Sequence, residues 1–280
     1  MRKQGLKQTL ERFYREYDFK NRVLHDPIEL PHRYKRPEDI EVTGFIASCL
    51  AYGKVGLFKP VIARILSGMD RSPYSFLMDL DVRKQKYFIT FKYRFNESAD
   101  ILCLLFIIHT ILKNHSSFER AFLKHYHGDD PNTGGAIAGF VSEAMATDTS
   151  VVYGKNIKPH GLTQLFPSPE KGSACKRMNL FMRWMIRDRD IDFGIWKDIP
   201  RSKLIIPLDT HIARISRCLG FTRRTTSDWK TAVEITEALK NLDPEDPLKY
   251  DFALCHHGIS GLCKSKDRSG CKDCVFAEFS

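Results

Sequence analysis

The feature that most constrains the fold is a hydrophobic stretch near the middle of the chain. From Ile101 to Leu112 only His109 and Thr110 interrupt it. A helix that crosses a bilayer needs ~20 apolar residues, so this stretch is too short for a membrane span. We therefore expect residues 98–113 to form a central buried helix, and we expect no membrane partner.

Helical spacing of apolar residues recurs along the rest of the chain, and no segment alternates for long between apolar and polar residues. This pattern predicts an all-α fold. Residues 149–172 contain Gly, Pro and Ser without a clear period, which predicts a connection with room for a short hairpin. Further helices are expected at 7–18, 38–51, up to about 66, 117–127, 135–147, 173–188, 209–219, 229 to about 242, and 246 to about 259. Thr225 with Asp228 has the spacing of a capping box for the helix up to 242, and Asp246, followed by Pro247, is the expected cap of the last helix.

The predicted helices fall into two groups, which suggests two helical subdomains with a cleft between them. Residues 1–148 would form the first group and the N-terminal part of the cleft, 149–172 the connection, and 173–280 the second group. Since chain termini commonly pack near each other, we expect the first and last segments to share one subdomain. The sequence gives no indication of the oligomeric state.

The composition is that of an ordinary globular protein with a basic balance. The 280 residues carry 44 Lys and Arg against 34 Asp and Glu, a formal net charge of +10. This composition excludes a disordered chain, a collagen-like repeat and a small disulfide scaffold. The excess of positive charge favours a polyanionic partner such as nucleic acid, with a merely solvated basic surface as the alternative.

The cysteine content and the N-terminal residues indicate which cellular compartment to expect. The N-terminus is basic but has no apolar run, so a secretory signal is not expected. A reducing, cytoplasmic location follows as an expectation. The eight cysteines are then thiols or metal ligands more readily than disulfides.

The sharpest local motif is Pro-Leu-Asp-Thr-His-Ile-Ala-Arg at residues 207–214. Asp209 lies just before a predicted helix that Gly220 ends, so it is at least a helix cap. The functional alternative is a carboxylate fixed by the helix N-terminus at the mouth of a cleft. The helix dipole lowers the pKa of such a carboxylate, which suits a base or an electrostatic stabiliser.

This motif resembles the V-D-T-H-V-x-R segment of the helix-hairpin-helix DNA glycosylases, the endonuclease III-like superfamily. The stretch from Gly44 to Leu66 is similar to the superfamily's early helix pair, and the segments "HGISGLC" and "CKDC" resemble its [4Fe–4S] region. The whole chain also resembles an uncharacterised bacterial domain-of-unknown-function family related to these glycosylases. The resemblance implies a DNA partner, Asp209 as the catalytic carboxylate, and a base rotated out of the duplex.

The chain departs from the superfamily where a Gly-rich hairpin precedes the catalytic Asp. Residues 192–207 contain Gly194 as their only glycine, so the hairpin is degenerate and its phosphate contact is lost. We expect Lys197, Arg201 and Lys203 to compensate with side-chain charge. Lys203 is six residues before Asp209 and does not match the superfamily's nucleophilic Lys, so hydrolysis without a Schiff base is expected.

Other candidate contacts to nucleic acid lie on three segments. Tyr52 and Lys54 occupy a turn in the early helix pair, where Tyr52 is the better wedge for the gap that a flipped base leaves. His211 and Arg214 share the helix of Asp209. The remaining candidates are Lys176 and Arg177 on the basic helix, and Lys264 and Lys272 near the C-terminus. For the basic helix the alternative is a solvated face, where Arg183 and Arg187 repel each other unless an anion lies across them.

Four cysteines near the C-terminus form the second constellation. Cys255, Cys263, Cys271 and Cys274 have the spacing C-x7-C-x7-C-x2-C, and a C-x2-C pair is typical of metal ligands. The resemblance favours a [4Fe–4S] cluster, whereas a zinc site completed by His256 or His257 and plain free thiols remain alternatives. Cys255 also has the spacing of a core residue. No organic cofactor is expected.

The sequence thus predicts a DNA-binding, glycosylase-like protein. The implied activity is monofunctional excision of a base by hydrolysis of its N-glycosidic bond. Two alternatives stay open: a non-catalytic nucleic-acid-binding module on the same scaffold, and a metal-cluster protein.

Overall fold

A computed structural model describes residues 2–69, 71–85, 87–261, 271 and 274–279. The described residues contain no β-strand, and the only β-type pairs among them are two isolated bridges. The α-helices are α1 Arg2–Arg15, α2 Phe19–Val23, α3 Pro37–Leu50, α4 Val55–Ser67, α5 Pro73–Met78, α6 Ser98–His115, α7 Phe118–Leu123, α8 Gly134–Ala146, α9 Ser150–Tyr153, α10 His160–Thr163, α11 Lys176–Ile186, α12 Thr210–Cys218, α13 Trp229–Lys240 and α14 Asp251–Ile259. Short 3₁₀ turns occur at Pro27–Glu29, Pro31–Arg33, Val82–Lys84, Tyr87–Thr90, Pro169–Lys171, Arg201–Lys203 and Ala277–Phe279.

The all-α prediction is confirmed. The apolar stretch forms α6, whose residues between Ile101 and Leu112 are mostly buried. A left-handed Ser116 ends α6, and Glu97 with Asp100 forms a capping box at its start. None of the helices in the described part of the chain is both long and apolar enough to cross a bilayer.

Residues 149–172 contain α9, α10 and a 3₁₀ turn, so the expected short hairpin is wrong. Thr149 organises the start of this segment, since its hydroxyl donates to the Ile157 carbonyl at 2.6 Å and accepts from the Ile157 amide at 3.2 Å. Local hydrogen bonds between a side chain and the backbone satisfy the backbone N–H and C=O groups here, so the paired strands of a hairpin are not needed.

Buried hydrophobic residues form two clusters. The larger one packs α3, α4, α6, α8 and α11 together. The smaller one packs α12 and α13 with Leu6 and Leu10 of α1 and with Phe276 and Phe279, so the first and last described segments lie together. Helix α14 serves both clusters, through Phe252 in the larger and Leu254 in the smaller. The subdomain boundaries at 148 and 172 stay predictions.

The basic helix α11 is not a solvated face, because Arg183 and Arg187 are almost fully buried. The carboxylate of Asp192 lies across them, 3.2 Å from Arg183 Nε and 3.1 Å from Arg187 Nη1. The chain reaches this position by turning back over residues 188–191, where Asp190 has a φ of +58° and the Asp192 amide donates to the Arg189 carbonyl at 3.0 Å. The anion that the two arginines require is thus supplied by the protein itself.

Asp246 does not cap the last helix, which begins at Asp251 instead. Both oxygens of its carboxylate accept from Arg187 Nε at 3.0 Å. The side chain of Asp246 is therefore part of a buried ion pair and is not a helix cap. The cap of α13 is Asp228 and not Thr225, since its carboxylate accepts from the Thr231 amide at 2.8 Å.

Helices α12 and α14 approach closely at Gly258. A Cβ built on Gly258 would lie 2.7 Å from the Cβ of His211. We expect Gly258→Ala to lower the free energy of unfolding by about 1–3 kcal/mol, because the added methyl overpacks this crossing. Urea denaturation measures this, and Gly56→Ala is the control, since its Cβ would meet nothing within 4 Å. Equal stability of the two variants would contradict the close approach.

Candidate functional site

A cleft of about 500 Å³ is lined by residues of α4, α11, α12 and α14 and of the loops beside them. Its rim carries the exposed residues His25, Lys54 and Ile259. Its floor consists of four almost fully buried residues, Arg183, Asp251, Phe252 and His256. The other lining residues are Asp26, Pro27, Ala51, Gly53, Val55, Phe58, Lys176, Leu180, Pro207, Asp209, His211 and Cys255.

Asp209 is both the cap of α12 and a wall of the cleft. Its Oδ1 accepts from the amides of His211 and Ile212, each at 2.9 Å. Its Oδ2 lies 3.2 Å from Lys176 Nζ and accepts from the Cys255 thiol at 3.6 Å. The side chain is 12% exposed. One oxygen therefore fixes the carboxylate to the helix, and the other bonds Lys176 and Cys255 in the wall of the cleft.

The charges around Asp209 keep it ionised. Burial raises its pKa, but the Lys176 ammonium and the bonds from the backbone amides outweigh burial and hold that pKa below its usual range. Burial lowers the pKa of Lys176, but the negative charge of Asp209 raises it by more, so the pKa of Lys176 lies above its usual value. Burial raises the pKa of the Cys255 thiol well above its usual value. At neutral pH the cleft wall thus holds a carboxylate, an ammonium and a neutral thiol.

The cleft also contains a His–Asp pair. His256 Nε2 lies 3.1 Å from Asp26 Oδ2, while Asp26 Oδ1 accepts from the Ile28 amide at 3.0 Å. Burial raises the pKa of Asp26, but the bonds from His256 and Ile28 lower it overall. The floor adds a second ion pair, with Arg183 Nη1 2.5 Å from Asp251 Oδ2. There burial outweighs the pairing and raises the pKa of Asp251 to about 6.

Five of the sequence-predicted site residues line this cleft. They are Lys54, Lys176, Asp209, His211 and Cys255. The segments that carry them are far apart in sequence, so their meeting is a result of the tertiary fold.

Tyr52, Arg177 and Arg214 are bonded to the protein instead of lining the cleft. Tyr52 is half-buried and donates to the Tyr93 carbonyl at 3.0 Å, and it also bonds Asn96. Arg177 Nη1 donates to the Cys49 carbonyl at 2.8 Å at the end of α3. Arg214 Nη2 donates to the Gly258 carbonyl at 3.2 Å. The residue expected to be a wedge is therefore held in an internal network.

The basic residues of the degenerate hairpin are also outside the cleft lining. Lys203 Nζ donates to the Asp130 carbonyl at 2.5 Å, and Arg201 pairs with Asp188 at 2.5 Å. Lys197 is exposed, and its amide donates to Glu119 at 3.1 Å. Their role at a phosphate stays a prediction.

The cysteine constellation is only partly described. Cys263, Lys264 and Lys272 lie outside the described residues. Cys274 Sγ is 3.7 Å from His257 Nε2, whereas Cys255 bonds Asp209. Within the described part of the chain no three His, Cys, Asp or Glu side chains come together as a metal site. The described residues do not by themselves assemble the predicted metal centre, which stays a prediction.

Sequence reasoning missed four charged or titratable residues of the cleft, His25, Asp26, Arg183 and Asp251, besides its apolar lining. Asp251 and Cys255 are four residues apart on one helix, so they share a face, and this spacing was the one available signal. Asp26 and Arg183 are brought in by tertiary packing from segments that carry no motif.

Residues 26–260 match a family described as "Protein of unknown function (DUF2400)". The matched span includes Asp209 and every residue that lines the cleft except His25. No curated protein matches the chain, and no solved structure matches it. Since the match covers most of the 280 residues, the chain belongs to the DUF2400 family.

Proposed function

We propose that this protein binds DNA and releases a base by hydrolysis of its N-glycosidic bond, with Asp209 as the catalytic carboxylate. One observation carries the proposal: an ionised carboxylate oxygen faces a cleft of about 500 Å³. Binding pockets for small molecules fall at roughly 300–1,000 Å³, so one flipped base with its sugar is a suitable occupant.

The chemistry follows from the position of Asp209. As the bond between C1′ and the base breaks, positive charge develops on the sugar, as in other glycoside cleavages. The Oδ2 of Asp209 stabilises that charge and accepts a proton from the attacking water. The two amide bonds to Oδ1 keep the carboxylate in place during the step, so no reorganisation is needed.

The rim supplies positive charge for the phosphates. Lys54 is exposed at the start of α4, directly beside the cleft. A formal net charge of +10 favours association with a polyanion through counterion release. The resemblance of the Asp209 motif to the helix-hairpin-helix glycosylases supports the same partner.

Lys176 favours hydrolysis over a Schiff base. Its ammonium is paired with Asp209 at 3.2 Å, and this pairing raises its pKa. An amine must lose its proton before it attacks C1′. We therefore expect no covalent enzyme–DNA product after borohydride treatment.

The decisive experiment incubates the wild-type protein with duplexes that each carry one damaged or deaminated base. Release of a free base from at least one duplex, leaving an abasic site without strand cleavage, supports the proposal. Salt-dependent binding without release would instead favour the non-catalytic module. The absence of both binding and release would overturn the proposal.

Lys176→Met is expected to move the acid limb of the pH–rate profile to higher pH. The substitution removes the nearest positive charge from Asp209, so the pKa of that carboxyl rises and ionisation requires a higher pH. Single-turnover base release between pH 4 and pH 8 measures the shift. Lys171→Met is the matched control, since Lys171 is exposed and outside the cleft lining. Coincident acid limbs for the two variants would contradict the coupling.

The predicted metal centre has its own test. Anaerobic purification followed by an absorbance spectrum and metal analysis distinguishes iron–sulfur, zinc and free thiols. Of the candidate fourth ligands, the structure favours His257, which lies beside Cys274, over Cys255, which is bonded to Asp209. Loss of metal in Cys274→Ser and in His257→Ala, but not in Cys255→Ser, is the expected pattern.

A further inference from the structure

Arg183 is a buried cation with an unused donor. Its side chain is 3% exposed and lines the floor of the cleft. The Nε atom donates to Asp192 at 3.2 Å and Nη1 to Asp251 at 2.5 Å. The Nη2 atom is buried, and among the described residues it has no hydrogen-bond partner.

An unsatisfied donor on a buried cation is unfavourable. A buried polar group without a partner costs about 1–3 kcal/mol, and more when it is charged. Such groups are rare in native proteins, and each requires an explanation, such as local strain, a catalytic role or a bound water or ion. By contrast, the Nε, Nη1 and Nη2 atoms of the neighbouring Arg187 all have partners, from Asp246, Asp192 and Asp190. The unused donor is therefore particular to the arginine that lines the cleft.

The proposed reaction needs a donor on the side of the leaving group. When the bond between C1′ and the base breaks, the electron pair goes to the base, and a neutral base then departs as an anion. Asp209 acts on the sugar and carries the wrong charge to assist the base. A fixed cation in a site shielded from water stabilises developing negative charge far better than one in bulk solvent.

We propose that Arg183 is a catalytic residue that donates a hydrogen bond from Nη2 to the departing base. The Nη2 atom has no contact with solvent in the free protein, so this bond forms when the entering base displaces the side chains that cover it. This inference rests on the proposed function and names its substrate class: neutral bases that leave as anions. The step is balanced, because water loses a proton to Asp209 and adds to C1′, while the departing anion takes up a proton from solvent.

The surroundings of Arg183 hold the guanidinium in position. Asp192 and Asp251 bind two of its three nitrogens, and the ring of Phe252 lies 5.9 Å from its Cζ. The other charged or titratable groups that line the cleft are His25, Asp26, Lys54, Lys176, Asp209, His211, Cys255 and His256. Of these, Lys54 is on the rim and Lys176 is paired with Asp209. Arg183 is paired with Asp192 and Asp251, but its Nη2 has no partner among the described residues.

The test compares two kinds of leaving base in one duplex sequence. Uracil or hypoxanthine departs as an anion, whereas 7-methylguanine is cationic in DNA and departs neutral. We expect Arg183→Lys to slow release of the first kind by about 10²–10³-fold, the range for loss of one such donor. Release of 7-methylguanine should change much less. The ratio of the two rates is the readout, since partial misfolding lowers both rates equally.

Arg187→Lys is the matched control, because Arg187 lies on the same chain segment and also binds Asp192 but does not line the cleft. The ratio of the two release rates in Arg187→Lys should equal the ratio in the wild type. If Arg183→Lys does not fold, the wild type alone gives an answer: free 5-fluorouracil should inhibit more tightly as pH rises through its own ionisation. An unchanged ratio, or inhibition independent of that ionisation, overturns the role of Arg183 and leaves Asp209-dependent release intact. A wild type that releases no base overturns the proposed function as well.

Discussion

Asp209→Asn is expected to lower the rate of base release by about 10²–10⁴-fold, the usual contribution of a positioned proton acceptor. The amide retains an oxygen that can accept from the His211 and Ile212 backbone, so α12 stays capped. It loses the negative charge that opposes the cation forming on the sugar. Single-turnover release from the best substrate of the duplex panel measures the effect.

Asp228→Asn is the matched control for this substitution. Asp228 caps α13 as Asp209 caps α12, accepting from the Thr231 amide at 2.8 Å, but it does not line the cleft. Base release by this variant should equal that of the wild type. If Asp209→Asn and Asp228→Asn release base equally well, the carboxylate of Asp209 is only a helix cap and the proposed chemistry is wrong.

The two readings of Asp209 show what sequence could and could not predict here. An Asp before a helical pattern that ends in Gly220 predicts a cap from local chemistry alone, and the structure has that cap. Local chemistry does not determine where the second oxygen points. That direction depends on Lys176 and Cys255, which come from α11 and α14, 33 residues before and 46 residues after Asp209.

The errors at the other helix starts have the same origin. Asp246 has the local pattern of a cap, but a buried Arg187 requires carboxylates more strongly than a helix end requires a cap. Periodicity placed α6 and α3 within about two residues, because a long buried apolar stretch has few alternatives. Polar residues such as Asp246 have several possible partners, and tertiary contacts decide among them.

Only the part of the cleft that depends on local sequence patterns could be predicted. The motif at 207–214 identified Asp209 and His211, and net charge favoured basic residues on its rim. Neither signal indicates that Arg183 is buried, because the sequence of a basic helix alone predicts that its charged residues are exposed to solvent. The burial follows from Asp192, which the turn at residues 188–191 brings back across α11.

Arg187→Met is expected to lower the free energy of unfolding by about 3–5 kcal/mol, the cost of removing one partner from a buried ion pair. Arg187 is 2% exposed and pairs with Asp190, Asp192 and Asp246 at 2.8–3.1 Å. A methionine fills similar space but leaves these carboxylates without their cation. Urea denaturation at neutral pH measures the loss.

The matched control is Arg189→Met, two residues along the chain. Arg189 is 58% exposed, and its contact with Asp188 is 3.8 Å, so its removal should change stability by less than about 0.5 kcal/mol. Each variant loses one guanidinium from the same segment. The difference between their free energies of unfolding therefore measures the effect of burial and not the effect of losing a charge. A small loss for both would mean that the carboxylates around Arg187 take up protons or water at little cost.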